Sequence, residues 1–287
     1  MAKTRTIGNP LSWSAQSLGR TGTHLADMVG HVRSDRADTP PKVQQIGMQD
    51  IRDALRAGMD DFAVFRSDVM FLCLFYPVIG LALVWAAFNA ALAPFVFPLM
   101  AGFALLGPVA AIGLYELSRR REMGAPASWG DAAHLFSAPS VGAMVLLGLV
   151  LLTLFLGWMG AAFVIYLATM GPEMPASASA FIGDVFGTGA GWMMMLIGIP
   201  VGAAFAAVVL AISIVSFPLL LDRNVGLPRA VATSWQVTRE NPKTVAAWGL
   251  IVAVGLVLGS IPAFLGLILV MPVLGHATWH LYRRAVA

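Results

Sequence analysis

Six apolar runs, each close to or beyond the length of a membrane crossing, constrain this chain more than any other feature. They occupy residues 69–92, 95–117, 141–168, 190–221, 242–260 and 262–282, and roughly 20 apolar residues carry a helix across a bilayer. Hydrophobic residues make up 58% of the chain and charged residues 11%, where a soluble domain carries about 25% charged. A chain that apolar finds its solvent in lipid. The expected fold is an all-α membrane protein with six transmembrane helices arranged as three hairpins.

The punctuation fits that reading. Ala93-Pro94 is the only link between the first two runs. Asn241-Pro242 reads as a helix start, with Asn as the cap and Pro in the first position. Pro200, Pro218 and Pro272 fall inside the fourth and sixth runs and are expected to kink them. Residues 1–47, rich in Ser, Thr, Gly, Arg and Asp, read as a flexible tail ahead of a membrane domain over 48–287. Between them and the first run, Ile51, Leu55, Met59 and Phe62 recur at helical spacing with Phe65 beside them. Asp50, Arg52, Asp53, Arg56, Asp60 and Asp61 fill the remaining positions. That pattern predicts an amphipathic helix over 49–66 lying on the membrane surface.

Charge gives an orientation. All 18 Lys and Arg residues fall in residues 1–68, the 118–139 loop, the 222–244 loop or the C-terminal end. The 169–189 loop on the other side carries only Glu173 and Asp184. Cytoplasmic loops hold the excess of basic residues, so both termini and the amphipathic helix are expected in the cytoplasm. Residues 1–68 are polar, so no signal peptide is expected at this end and the first run is expected to act as its own insertion signal. The single cysteine, Cys73, excludes an internal disulfide and a thiolate metal cluster. A net charge of +3 spread over several segments suits an anionic membrane surface rather than nucleic acid.

A weak threefold repeat accompanies the hairpins. Mixed or amphipathic segments at 49–66, 127–138 and 228–240 precede them, and each even run holds two prolines. Arg119, Arg229 and Arg283 each follow the second proline by eleven residues.

Candidate sites gather at the ends of the even runs. His276 and His280 stand four apart and share one helix face. Two imidazoles so placed can ligate a metal ion or hold haem iron, with Asp222 and Glu116 as completing ligands. The competing reading is hydrogen bonding at a helix C-terminus. Tyr115, Glu116 and Arg119 in one segment, Asp222 and Arg223 in a second and Tyr282 in the third form a further polar set. It reads as interfacial anchoring and ion pairing, or as a docking patch for anionic lipid or a partner protein. His24, His31 and His134 are isolated in polar segments. Small residues at Gly198 and Gly202, at Gly255 and Gly259, and at Gly157 and Ala161 suit close helix packing. No Asp, Glu, Lys or Arg lies at membrane depth, and ion-coupled transporters usually keep one there. No phosphate-binding loop, serine nucleophile elbow or zinc-protease HExxH occurs.

Three strings carry a resemblance: Gly107-Pro108 leading to Gly113-Leu114-Tyr115-Glu116-Leu117-Ser118-Arg119-Arg120-Arg121, Ser216-Phe217-Pro218 with Leu220-Leu221-Asp222-Arg223, and Pro272 through His276 with Trp279-His280 and Tyr282-Arg283. Over roughly 49–284 the chain resembles a proteobacterial family of six-span integral membrane proteins of unknown function, sometimes labelled cytochrome c oxidase subunit I-like. The resemblance implies the bacterial inner membrane and no established activity. An oxidase subunit I needs histidines on several helices, whereas the apolar runs here hold them only in the sixth. The expected function is a non-enzymatic accessory or interaction subunit of a membrane complex, such as a respiratory assembly. A small-solute channel or facilitator, and a metal or haem protein built on His276 and His280, are the alternatives.

Overall fold

A computed structural model describes residues 41–87, 90–105, 107–125, 140–223 and 225–287. The expected tail up to residue 40, the mixed segment 127–138, and His24, His31 and His134 lie outside the described residues. In chain order the helices are α1 (Met48–Cys73), α2 (Phe75–Ala87), α3 (Val96–Leu105), α4 (Gly107–Ala110), α5 (Ile112–Glu122), α6 (Val141–Met170), α7 (Ala178–Gly187), α8 (Gly189–Ser213), α9 (Ser216–Asp222), α10 (Leu227–Glu240), α11 (Pro242–Ser260) and α12 (Leu267–Ala285).

Three stretches among the described residues are long and apolar enough to cross a membrane: α6, the 34 residues Gly189–Asp222 that hold α8, α9 and the break between them, and α11, with mean hydropathies of 2.4, 2.6 and 1.7. Leu149, Leu156 and Val164 of α6, Leu196 and Ile199 of α8, and Leu250, Val257 and Leu258 of α11 are all exposed. Contiguous apolar surface of that extent calls for lipid or a partner. The other three runs are subdivided. The first is split between the end of α1 and α2, and Ala93-Pro94 sits in a 3₁₀ turn over Ala90–Phe95. The second is divided among α3, α4 and α5, with Pro98 and Pro108 in first turns, where a missing N–H costs nothing. In the sixth, residues 261–266 form a turn with Ala263 and Phe264 at φ 51° and 65°, and the helix starts only at Leu267. The 169–189 loop contains a further helix, α7, which the sequence reading did not anticipate.

The break between α8 and α9 has a specific cause. Pro218 lies in the first turn of α9 and cannot continue the ladder of α8. The Ser234 hydroxyl of α10 inserts there, donating to the Ala211 carbonyl (2.8 Å) and accepting from the Val215 N–H (3.5 Å). Those two backbone groups would pair with each other in an unbroken helix, so one side chain satisfies both. Pro200 and Pro272, by contrast, stand inside continuous helices.

The amphipathic helix is present, but its apolar face is spent on protein. α1 packs antiparallel along α12, so that Asp50 meets Arg284, Phe65 meets His276, and Gly58 lies against the Val273–Ala277 backbone. A Cβ at Gly58 would stand 2.7 Å from the Ala277 nitrogen, so only glycine permits this approach. The buried seam runs through Ile51, Ala54, Gly58 and Asp61 to half-buried Phe65, at spacings of three and four. Met59, expected on the apolar face, is 51% exposed. Gly47 precedes α1, and its N–H is bonded by the Asp50 carboxylate (2.8 Å) in the reciprocal half of a capping box.

Residues 42–46, expected to belong to the tail, are instead held in place. Val43 forms an antiparallel bridge with Val286, closed by Lys42 N–H to Ala287 O and Ala287 N–H to Lys42 O. Asn241 does not cap α11 with its side chain. Its Oδ1 accepts from the Ile46 N–H (2.9 Å), and its Nδ2 donates to the Gln44 carbonyl (3.1 Å). Thr244 donates to the Ile46 carbonyl (2.9 Å). The segment is thus tied to the α10–α11 corner and to the C-terminal end of α12.

Candidate functional site

The C-terminal ends of α5, α9 and α12 meet beneath α1, and charge collects at that junction. Its centre is Asp61, 3% exposed, on the buried seam of α1. Ser118 of α5 donates to Asp61 Oδ2 (2.5 Å), His280 of α12 approaches the same oxygen (Nε2, 2.9 Å), and Arg121 of α5 pairs with Oδ1. Burial alone pushes the Asp61 carboxyl up. The hydrogen bonds from His280, Ser118 and Arg121 outweigh it and bring the group from its ordinary 3.8 down to about 2. Asp61 is therefore ionised, and His280 donates to it through Nε2–H.

That fixes the remaining protons. Ser118 has one hydroxyl proton and gives it to Asp61, so at its 2.7 Å contact with His276 Nδ1 it accepts. His276 is 0% exposed, carries its proton on Nδ1 and stacks on Phe65 with ring centroids 6.0 Å apart. Its Nε2 is buried without a hydrogen-bond partner.

A second network lies alongside. Glu116, buried on α5, accepts from Arg120 Nε (2.7 Å) and Arg119 Nη1 (3.2 Å). Arg119 Nε makes no hydrogen bond but stands 3.7 Å from Asp222. Asp222 at the end of α9 accepts from the Tyr282 hydroxyl (2.7 Å) and from Arg283 Nη1 (3.3 Å). Arg283 also reaches Glu122 (2.9 Å), which holds the Trp279 indole N–H (3.0 Å). Arg223 donates to the Ala287 carbonyl (3.0 Å). Arg284 pairs with Asp50 and Asp53 of α1 (3.0 and 3.4 Å).

The expected set Glu116, Arg119, Asp222, Arg223 and Tyr282 is thus brought together, while Tyr115 lies in the apolar core. His276 and His280 do share a face, yet they turn to Asp61 and Ser118 and not to Glu116 or Asp222, which the two arginine networks occupy. Among the described residues no group of three or more His, Cys, Asp or Glu side chains is arranged to hold a metal ion.

Ser118, His276 and Asp61 include the residue types of a hydrolytic triad in the wrong order. There the histidine stands between hydroxyl and carboxylate and takes the hydroxyl proton. Here the serine stands in the middle, 1% exposed, with its proton committed to the carboxylate. The arrangement joins three helices.

Asp61, Ser118 and Arg121 escaped the sequence reading as site residues. The signal for Asp61 was present: it is the one carboxylate on the 51–54–58–61–65 stripe. A lone carboxylate on an otherwise apolar stripe requires a buried partner.

Residues 96–222, from α3 to α9, match a family described as "Predicted integral membrane protein (DUF2189)". Glu116, Ser118, Arg121 and Asp222 lie inside the match, and Asp61, His276 and His280 outside it. No curated protein and no solved structure matches the chain.

Proposed function

We propose that this membrane protein is a non-enzymatic accessory or interaction subunit of a membrane complex, such as a respiratory assembly. We read it as six spans in three hairpins in a bacterial inner membrane, with both termini cytoplasmic. The observation that carries the reading is the commitment of the charged junction. Asp61 and Asp222 spend their oxygens on neighbouring helices, Glu116 spends its own on Arg119 and Arg120 of the same helix, and Ser118 and His276 are closed to solvent. A catalytic site keeps a reactive group in reach of substrate, whereas this network spends its polarity on holding helix ends together.

Further observations support the reading. The core beside the junction is filled by Leu117, Leu147, Leu151, Phe217 and Trp248, which favours a closed bundle over a solute pathway. The outward faces of α6, α8 and α11 beyond its first turn are largely apolar and suit lateral contact with lipid or another subunit. Pro98 and Pro108 of the second run and Pro262 of the sixth stand at breaks between helices without adding polar residues, which suits segments that cross the bilayer in pieces.

Affinity purification from native membranes in mild detergent, with mass spectrometry of what is retained, tests the proposal. The expected result is a fixed set of membrane partners in constant ratio. Recovery of the chain alone, at stoichiometric purity across detergents, contradicts it.

A further inference from the structure

We propose that α10 and the first turn of α11 form a binding site for anionic phospholipid headgroups. α10 has two unlike faces. Ala230, Thr233, Ser234 and Val237 are buried against the bundle. Trp235 is 56% exposed on the outer face, and Arg239 follows it by four residues, one turn along the same side. Lys243 is exposed in the first turn of α11. Neither Arg239 nor Lys243 has a hydrogen-bond or ion-pair partner among the described residues. That sets them apart from Arg119, Arg120, Arg121, Arg283 and Arg284, each tied to a carboxylate. The neighbouring carboxylate, Glu240, accepts instead from Gln236 Nε2 (2.7 Å).

Depth identifies the occupant. α11 is one of the three stretches able to cross a membrane, and its exposed residues from Leu250 to Leu258 are apolar. Leu250 is seven residues beyond Lys243, or about 10 Å at 1.5 Å per residue. Lys243 therefore lies at headgroup level when Leu250 meets acyl chains. An exposed indole with an apolar body and a polar tip suits that same layer. Two unpaired cations beside an exposed Trp at the mouth of a span are complementary to a lipid phosphate and the ring of carbons below it. The inference requires only that α11 lies in the bilayer, so it stands or falls separately from the accessory-subunit reading.

The test uses the full chain in nanodiscs of mixed phosphatidylcholine and phosphatidylglycerol, with native mass spectrometry of the lipids retained. The protein is expected to keep phosphatidylglycerol in preference to phosphatidylcholine, with the preference shrinking as salt rises. The double variant Arg239→Gln/Lys243→Gln is expected to weaken the preference by roughly fivefold per cation removed. Arg239→Lys/Lys243→Arg is expected to keep it, because charge at headgroup depth is retained. Arg52→Gln, which removes an exposed cation from α1, is expected to leave it unchanged. Equal retention in the Gln/Gln variant, or an equal loss from Arg52→Gln, overturns the site. Displacement of the retained lipid by soluble glycerophosphate overturns the assignment to the bilayer, and binding of an acidic protein with no lipid preference assigns the surface to a different partner.

Discussion

Asp61 concentrates most of what the charged end does. One carboxylate takes a serine from α5, an arginine from the same helix and a histidine from α12, so three helices are fixed relative to one another through two oxygens. Asp61→Asn removes the charge and leaves buried donors facing an amide. It is expected to destabilise the protein by about 2–4 kcal/mol, read as a lower unfolding midpoint in detergent. Ser118→Ala removes the hydroxyl that joins His276 to the network and should shift the same midpoint by less. Acid acts on the same group. Its carboxyl lies near 2 when folded against an ordinary 3.8, so the folded form binds the proton less readily than the unfolded form. The stabilisation is present above about pH 4 and is lost as pH falls through about 2, a loss of about 2 kcal/mol. Unfolding midpoints measured between pH 5 and pH 2 should fall in the native protein and stay flatter in Asp61→Asn.

Helices show which parts of the fold a sequence states openly. α6 and α11 match the expected spans within two residues at each end, because long apolar runs with no proline past the first turn have one way to satisfy their backbone. The α8–α9 break was legible as Pro218 but not as Ser234, which is 16 residues away in sequence and chosen by tertiary contact. Ser234→Ala deprives both Ala211 O and Val215 N–H of their buried partner. It is expected to cost about 1–3 kcal/mol and to raise amide exchange at the junction of the two helices. α1 shows the opposite case. Its period was visible, but Leu55 and Met59 pointed to a face one residue away from the buried 51–54–58–61–65 stripe. That small rotation placed the helix on the membrane surface and hid Asp61 among solvated charges. The Asn241 clamp on residues 44–46 was equally invisible, since it pairs positions 195 and 197 residues apart.

The molecule as a whole is polarised. Within the described residues the paired charges gather around the ends of α5, α9 and α12, and α7 on the connection between α6 and α8 carries the exposed apolar residues Ile182 and Phe186 beside Asp184. Charge counting along the sequence leads one to expect such a division, because cytoplasmic loops hold the excess of basic residues. It could not foretell that the carboxylates would consume nearly all the arginines at the junction, which depends on packing. The proposed topology puts the junction and α10 in the cytoplasm and α7 outside, and cysteine labelling tests it most directly. On a Cys73→Ser background, single substitutions Arg52→Cys, Asp184→Cys and Arg239→Cys are exposed to a membrane-impermeant maleimide in whole cells with permeabilised outer membranes and in inverted vesicles. Labelling of position 184 only in the cells, and of positions 52 and 239 only in the vesicles, is the expected result. Labelling of position 184 from the same side as 52 and 239 would contradict it.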